Sequence, residues 1–339
     1  MREPTDTPTA GAAIAGNGVG PLPALRTAGI ASISSTLPER IVPNAEIAES
    51  LEIDGDWIHS RTGIRERRFA GPDETLVDLA AESSLEALER ANVDPVDLDL
   101  VLVATFTADD LQPHAAPLIA KRIGATYAGA TDVGAACSGF VYALSLAASQ
   151  VESGRAGSVL VVGADVVSRV VDFTDKRTAG LFADGAGAAV VTGGGPGSIG
   201  PTILRADAGG ARHITASHAD RKLRMNGRPT FRAAVAAMSD VTVEAAEVAG
   251  VELADIDLFV YHQANARITA AVGERLALPA ERVVDCIERY GNSSAATIPI
   301  ALTEAAGDGR LVPGARVMLG AFGAGFTWAG GIVEWGGVA

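Results

Sequence analysis

Cys137, His262 and Asn292 are the residues of this chain whose types and settings suggest acyl chemistry on sulfur. Cys137 stands between a short apolar segment and an Ala/Leu-rich stretch in which apolar residues recur at helical spacing. A thiol on the first turn of a helix faces unpaired backbone N–H groups and the positive end of the helix dipole. Both features favour the thiolate, so we interpret Cys137 as a nucleophile.

His262 and Asn292 are interpreted as hydrogen-bond donors to a negative oxygen. His262 follows an apolar strand predicted over residues 256–261 and precedes a helix predicted over 266–276, and Asn292 lies in a Gly/Ser turn. A neutral imidazole and a carboxamide suit an enolate oxygen that forms when a neighbouring carboxylate leaves as carbon dioxide. A hydrolytic Cys–His–Asn protease uses the same residue types, but needs its histidine as a base toward cysteine.

The surrounding pattern predicts an α/β fold with well-covered sheets, because short continuous apolar strands alternate with helices. The predicted helices are 76–91 and 118–123, and the predicted buried strands are 98–106 and 158–162. The glycine-rich segment 184–189 is weak as a nucleotide-binding motif, since it lacks an acidic partner, and we interpret it as a structural turn at the wall of the site.

The chain also repeats itself at an offset of 158 residues (249 − 91). Residues 91–103 align with 249–261, 143–144 with 301–302, and 159–161 with 317–319. We therefore predict two similar halves, 27–200 and 201–339, related by a pseudo-twofold axis. Cys137 falls in the first half and the other two candidates in the second, which places the predicted site at the junction, where pockets are common.

Composition excludes several classes of protein. The 339 residues are 48% apolar with a net charge of −14, which disfavours general binding to nucleic acid or to an anionic membrane. The two cysteines form no disulfide framework, which favours a reducing cytoplasm. No apolar run is long enough to span a bilayer, and residues 1–26 read as a loose N-terminal arm. Basic residues are nevertheless concentrated near the motifs and predict an anion-binding mouth; they are Arg61, Arg65, Arg67, Arg68, Arg221, Lys222, Arg224, Arg228, Arg232, Arg267 and Arg275.

Taken together, these motifs resemble β-ketoacyl-acyl carrier protein synthase III, a family of the thiolase superfamily. The resemblance runs from about residue 28 to 337 and is carried by segments 57–68, 134–140, 182–188, 225–227, 262–268, 290–296 and 321–326. It implies a five-layered αβαβα fold, a homodimer, and no metal or permanently bound cofactor. It also implies transfer of a short acyl group from coenzyme A to Cys137, followed by decarboxylative condensation with malonyl-acyl carrier protein, in which His262 and Asn292 hold the thioester oxygen.

The resemblance assigns further roles. A backbone oxyanion hole would use the N–H groups of Cys137 and Ala324, although a positive φ at Ala324 would be strained. The expected coenzyme A contacts are Trp57, Arg61, Lys176, Gly227, Phe231 and Asn265. The expected carrier-protein contacts are Gln263, Ala264, Asn265, Ala266, Arg267, Arg232 and Arg275. In some members a Phe from the partner subunit gates the acyl pocket; Gln112 stands at that place here, which favours a longer, branched or polar starter over acetyl alone.

Alternatives remain open at this stage. A starter-unit enzyme of polyketide-type metabolism could join acyl groups to oxygen or nitrogen, although Asn292 favours carbon–carbon bond formation. A non-catalytic subunit should have lost its cysteine nucleophile. A degradative thiolase needs a second active-site cysteine, whereas Cys286 reads as a core residue.

Overall fold

The computed structural model describes residues 26–338. The predicted arm, residues 1–26, lies outside the described residues except for Arg26. The strands are β1 Ala28–Thr36, β2 Ile41–Pro43, β3 Glu66–Arg68, β4 Leu100–Ala104, β5 Gly129–Val133, β6 Ser158–Val166, β7 Asp184–Gly193, β8 Ser198–Ala206, β9 Ile214–Ala216, β10 Leu223–Met225, β11 Leu258–Tyr261, β12 Arg316–Gly323 and β13 Thr327–Glu334. The helices are α1 Asn44–Leu51, α2 Gly55–Thr62, α3 Leu76–Ala91, α4 Ala115–Ile123, α5 Gly139–Glu152, α6 Gly227–Ala249, α7 Ala266–Leu276, α8 Ile287–Tyr290 and α9 Thr297–Gly307.

Two sheets and three helical layers build the fold. One sheet has the strand order β1-β7-β6-β4-β5 and the other β11-β12-β13-β8. Helices α5 and α9 lie between the sheets in a continuous apolar core. Helices α3 and α4 cover the outer face of the first sheet, and α6 and α7 cover that of the second. This arrangement confirms the predicted α/β class and the five-layered αβαβα order.

The two sheets share one internal plan. In the first sheet β4 is parallel to β6, which is antiparallel to β7, which is antiparallel to β1. In the second sheet β11, β12, β13 and β8 repeat these directions in the same order. Strand β8 starts at Ser198 and belongs to the second sheet, so the boundary predicted after residue 200 is a few residues late. The matched plans support the proposed duplication.

The predicted elements around the site agree closely with the structure. The helices predicted over 76–91 and 266–276 have the observed bounds of α3 and α7, and α3 begins at a capping box formed by Thr75 and Asp78. The strand predicted over 98–106 is shorter, Leu100–Ala104, whereas that predicted over 158–162 extends to Val166. Within residues 26–338, no helix is long and apolar enough to cross a membrane.

The interpretation of segment 184–189 as a turn is wrong, because these residues begin β7, which pairs with both β1 and β6. The reason for the glycines is close packing by α9. A Cβ at Gly187 would lie 2.6 Å from Pro299 Cβ, and one at Gly185 would lie 3.1 Å from Ile300 Cδ1. The small residues therefore let a middle-layer helix approach the sheet.

Candidate active site

Cys137 lies in a short 3₁₀ turn, Ala136–Ser138, between β5 and α5. Ala136 has a φ of 46°, an unusual left-handed conformation for a residue with a Cβ. Ser138 holds the turn in place, since its hydroxyl donates to the Ala135 carbonyl at 2.7 Å and lies 2.7 Å from Thr327 Oγ1. Cys137 as a residue is partly exposed and lines the wall of a cavity.

The cavity has a volume of about 930 Å³ and brings both halves of the chain together. Cys137, His262 and Asn292 all line it. Trp57, Arg61, Lys176, Gly227, Phe231, Asn265, Ala264, Arg232, Arg267 and Ala324 also line it. A pocket of this size and mostly apolar lining suits an extended small-molecule substrate.

His262 follows the end of β11 and is only 1% exposed. Its Nδ1 lies 2.6 Å from the Thr297 hydroxyl, which is also 3.0 Å from the carbonyl of Ser294. Burial lowers the pKa of His262 to about 3, so the imidazole is neutral at physiological pH. With Nδ1 engaged by Thr297, Nε2 is the ring nitrogen left for a substrate.

Asn292 has its carboxamide oriented by the backbone of the next turn. Its Oδ1 accepts a hydrogen bond from the Ser294 N–H at 2.9 Å, while its Nδ2 lies 3.4 Å from the Ala264 carbonyl. Because the oxygen is occupied, the side chain can present only N–H donors to the cavity. Asn292 can therefore donate to a negatively charged oxygen, and His262 can do so in the tautomer that carries its proton on Nε2.

The sulfur of Cys137 is less activated than the sequence suggested. Burial raises the pKa of the Cys137 thiol, a hydrogen bond from Ser294 lowers it and the Asp165 carboxylate raises it, and the net result is a pKa of about 12. Desolvation thus opposes the predicted effect of the helix end, and the thiol is the favoured resting form of Cys137. The sulfur needs additional stabilisation of its negative charge during reaction.

The backbone beside Cys137 brings the end of β12 close to the nucleophile. A Cβ at Gly323 would lie 2.8 Å from the Cys137 nitrogen, so the end of β12 packs directly against the turn that holds the nucleophile. In residues 26–338, the N–H groups of Cys137 and Ala324 donate to no backbone carbonyl in the turns and loops, and the Cys137 N–H interacts with its own sulfur. Positive φ falls on Gly325 and not on Ala324, so the expected strain at Ala324 does not arise.

The cavity mouth contains the expected aromatic and basic residues. The Arg61 guanidinium lies over the Trp57 ring, 4.2 Å from its centroid, and Lys176 is exposed nearby on the lining. A Cβ at Gly227 would meet no atom within 4 Å, so the wall is open there. Asn265 lines the cavity and also caps α7, because its Oδ1 accepts from the Arg267 N–H at 2.9 Å.

Several sequence expectations need correction. Gln263 is 2% exposed, and its amide bonds only to backbone groups of Tyr261, Val284 and Cys286, so its side chain is unavailable to a docking protein. Arg67 is wholly buried and donates to Val42, Asn44 and Gly180, which removes it from the predicted anion-binding mouth.

Two further residues lie outside the lining of the cavity in their own subunit. Arg275 pairs with Asp240 at 3.1 Å and is not part of the cavity lining. Gln112 is exposed and bonds to His114 at 2.9 Å, away from the lining of its own subunit's cavity. Ala266 is partly buried beside Gly63, on the first turn of α7.

Sequence reasoning missed Ser294 and Thr297. Ser294 Oγ lies 3.4 Å from Cys137 Sγ, and Thr297 contacts His262 as described. The internal repeat was the available signal, because the 158-residue offset carries the turn at Ala136 onto the turn at Ser294.

Comparisons with known proteins agree with this geometry. Residues 131–208 match the family described as 3-oxoacyl-[acyl-carrier-protein (ACP)] synthase III, and residues 246–335 match its C-terminal region. The chain is 44% identical over 311 residues to β-ketoacyl-[acyl-carrier-protein] synthase III 2 of Streptomyces coelicolor, covering 91% of this chain and 94% of that protein.

Solved structures show the same likeness. The 3-oxoacyl-[acyl-carrier-protein] synthase III of Aquifex aeolicus superposes with a TM-score of 0.88 at 39% identity, covering 91% of this chain and 100% of that chain. The priming β-ketosynthase of the R1128 polyketide pathway superposes with a TM-score of 0.89 at 38% identity, covering 93% and 98%. The chain therefore belongs to the β-ketoacyl-acyl carrier protein synthase III family and has its thiolase-like fold.

Proposed function

We propose that the chain transfers a short acyl group from coenzyme A to Cys137 and then condenses it with malonyl-acyl carrier protein. In the first step the Cys137 sulfur bonds to the thioester carbon, the carbon–sulfur bond to coenzyme A breaks, and the thiol proton leaves with the released thiol. The observation that carries this proposal is the convergence of Cys137, His262 and Asn292 on one cavity from two halves of the chain.

In the second step the bond from the malonyl carboxylate to its neighbouring carbon breaks and carbon dioxide leaves. The electron pair enters an enolate whose oxygen accepts hydrogen bonds from His262 Nε2 and Asn292 Nδ2. The Thr297 hydroxyl has one proton and two acceptors within reach, the Ser294 carbonyl and His262 Nδ1. We assign that proton to Nδ1 in the reacting enzyme, which leaves the imidazole proton on Nε2. The enolate carbon then attacks the acyl carbonyl to form a tetrahedral intermediate. Its collapse breaks the bond to Cys137, and the sulfur leaves as a thiolate that takes up a proton from solvent.

The tetrahedral oxygen of each step would be held by the N–H groups of Cys137 and Ala324. Fixed backbone donors are effective here because they need no reorganisation as charge develops. Their support is the close packing of Gly323 on the nucleophile turn and the absence of a competing backbone carbonyl in the turns and loops of residues 26–338.

The cavity mouth would bind the two substrates through different residues. Trp57, Arg61 and Lys176 offer an aromatic face and positive charge to the nucleotide end of coenzyme A, while Gly227, Phe231 and Asn265 would line the path of its pantetheine arm. Arg232 and Arg267 are exposed and have no ion-pair partner within the described chain, so they are the stronger candidates for an acidic carrier protein. We propose no permanently bound cofactor, because coenzyme A acts as a substrate.

A homodimer and a reducing cytoplasmic setting complete the proposal. Strand β5 is an edge of the first sheet, and an unpaired edge invites pairing with another chain. Nearby side chains are unusually exposed for their type, Leu111 at 73% and Tyr127 at 90%. Cys137 and Cys286 are both free thiols, which agrees with a reducing compartment.

A second candidate is priming of polyketide synthesis with a starter other than acetyl. Its support is the similarity to the R1128 priming β-ketosynthase and the polar Gln112 at the expected gate. Mass spectrometry of Cys137 after incubation with a mixture of acyl-coenzyme A esters would separate the candidates. Preferential acetylation supports the first, and a longer, branched or polar adduct supports the second.

The test of the main proposal uses radiolabelled acyl-coenzyme A. Cys137→Ala should abolish protein labelling, whereas Cys286→Ala is the matched control and should retain it. Asn292→Ala should retain labelling but slow carbon dioxide release and condensation by about 10²–10³-fold, the usual effect of one lost oxyanion donor. Loss of labelling with intact decarboxylation in Asn292→Ala would reverse the assigned roles.

A further inference from the structure

The second half of the chain places a hydroxyl against the nucleophile of the first half. Ser294 is completely buried, and its Oγ lies 3.4 Å from Cys137 Sγ with the hydroxyl as donor. Ser294 has a φ of 56°, a conformation that costs a residue with a Cβ about 1–3 kcal/mol. A strained residue in contact with a reacting atom is a candidate for a direct role in the reaction.

The backbone on either side of Ser294 fixes the position of the turn, and the Ser294 hydroxyl has two acceptors within reach, Cys137 Sγ and the Asp165 carboxyl. Its N–H donates to Asn292 Oδ1 at 2.9 Å, and the next N–H, of Ala295, donates to Asp165 Oδ2 at 3.3 Å. Asp165 is itself buried and accepts hydrogen bonds from Thr105 Oγ1 and Thr107 Oγ1 at 2.9 and 2.8 Å. The turn is thus anchored to the first sheet, close to the sulfur.

The turn packs directly on the first sheet. A Cβ at Gly163, on β6, would lie 2.4 Å from the Ala295 carbonyl oxygen, so the strand and the turn are in direct backbone contact. Ser293 provides an internal comparison, because it is also buried but its hydroxyl has no hydrogen-bond partner in the described structure. The contact of Ser294 is therefore specific to its position and not a general property of serines in this turn.

We propose that Ser294 is a catalytic residue whose hydroxyl donates a hydrogen bond to Cys137 Sγ whenever that sulfur carries negative charge. Two moments need it: attack on the acyl-coenzyme A, and departure of the sulfur as the tetrahedral intermediate of condensation collapses. The hydroxyl keeps its proton throughout, and the electron pair returns to sulfur as its bond to the acyl carbon breaks. The inference rests on the proposed role of Cys137 as nucleophile.

The electrostatic setting explains why such a donor is needed. Burial and the Asp165 carboxylate both disfavour the thiolate, and the hydrogen bond from Ser294 is the largest of the influences that lower the pKa of Cys137. Hydrogen bonds to charged groups stabilise by more than those between neutral groups. A donor fixed in advance meets the charge without rearrangement of the site.

The test measures iodoacetamide alkylation of Cys137 by mass spectrometry across neutral and alkaline pH, which needs no acyl substrate. Ser294→Ala should lower the alkylation rate about tenfold at each pH below the thiol pKa, as expected for one lost hydrogen bond to a charged group. The turn should tolerate alanine, because Ala136 already adopts a similar φ. Ser294→Gly removes the hydroxyl without strain and should give the same decrease.

Ser293→Ala is the control and should be alkylated at the rate of the unchanged chain. An unchanged rate in both Ser294 variants, or an equal decrease in Ser293→Ala, would overturn the proposal. In the complete reaction, Ser294→Ala should lower kcat by a similar factor and leave KM unchanged. Failure of the unchanged chain to accept any acyl group from coenzyme A would count against the proposed function, whereas the alkylation rates would still decide the role of Ser294.

Discussion

The turn at Ala136–Ser138 and the turn at Ser294–Ala296 occupy the same place in the two halves of the molecule. Each is a short 3₁₀ turn that leads into a middle-layer helix, α5 or α9, and each starts with a left-handed residue that has a Cβ. The first carries Cys137 at its centre, and the second carries Ala295. The comparison indicates that the fold supplies this strained geometry twice and that side chains alone divide the tasks.

The polar side chains that surround the sulfur come from the second turn and not from the first. At the left-handed position the first turn has Ala136, with no polar atom, and the second has Ser294, whose hydroxyl reaches the sulfur. The second turn is also flanked by Asn292 and Thr297, which contribute a donor and a contact to His262. One half thus carries the nucleophile, and the other surrounds it with hydrogen-bonding groups.

The largest expected effect comes from moving the nucleophile between the turns. Cys137→Ala should abolish acylation, and adding Ala295→Cys to that variant should not restore it. Ala295 is 1% exposed and its carbonyl packs on Gly163, so a thiol there has no access to the cavity. Labelling with radioactive acyl-coenzyme A measures both variants. Acylation of the double variant would show that the two turns are interchangeable and would break the comparison.

A smaller effect is expected from wedging the second turn away from the sheet. In Gly163→Ala the new Cβ would lie 2.4 Å from the Ala295 carbonyl oxygen, a backbone atom that cannot yield by a side-chain rotation. We expect the free energy of unfolding to fall by about 3 kcal/mol, as in an overpacked core. Denaturant unfolding measures this, with Gly134→Ala as control, since a Cβ there would meet nothing within 4 Å. Equal stability of the two variants would contradict the close contact.

Removing the contact between Thr297 and His262 should have a moderate effect. Thr297→Val keeps the shape but loses the hydroxyl that lies 2.6 Å from Nδ1, so condensation should slow about tenfold while acylation of Cys137 is unaffected. Thr297→Ser should restore condensation. The ¹⁵N shifts of the His262 ring should report a change of tautomer in the valine variant only. The assignment fails if the tautomer is the same in all three proteins.

The smallest effect is expected from pH. Titration of His262 should not change the rate of condensation near neutral pH. Burial lowers its pKa from 6.5 to about 3, so the imidazole remains neutral throughout the usual assay range. The unfolded chain binds the proton more readily, so this group's contribution to stability is complete above pH 6.5 and is lost as pH falls toward 3. An NMR titration of His262 checks this, and a midpoint near neutrality would contradict it.

Sequence patterns predicted the elements of the fold well because these elements depend on local periodicity. Helices α3 and α7 were predicted with their observed bounds, since their apolar positions recur at helical spacing. The prediction of a turn over residues 184–189 was wrong. Glycines in a row are typical of a turn, but here they allow α9 to pack closely on β7. No local pattern could show that a helix distant in sequence would press on that strand.

In the candidate site, too, some features could be predicted from local sequence and others depend on tertiary contacts. The identities of Cys137, His262 and Asn292 were readable from their types and from the turns and strand ends that carry them. The burial of Gln263 and Arg67, and the roles suggested for Ser294 and Thr297, depend on contacts between distant segments. Arginine and glutamine usually face solvent, so only packing could reveal these two exceptions.

By itself the sequence determined the order of strands and helices, the internal repeat and the residue types available for acyl chemistry, because these follow from spacing along one chain. Only the tertiary structure decided the direction in which the pKa of the Cys137 thiol is shifted and which hydroxyl contacts its sulfur. Both depend on how the two halves stack: desolvation raises the pKa of Cys137, and a serine 157 residues away supplies the hydrogen bond that lowers it.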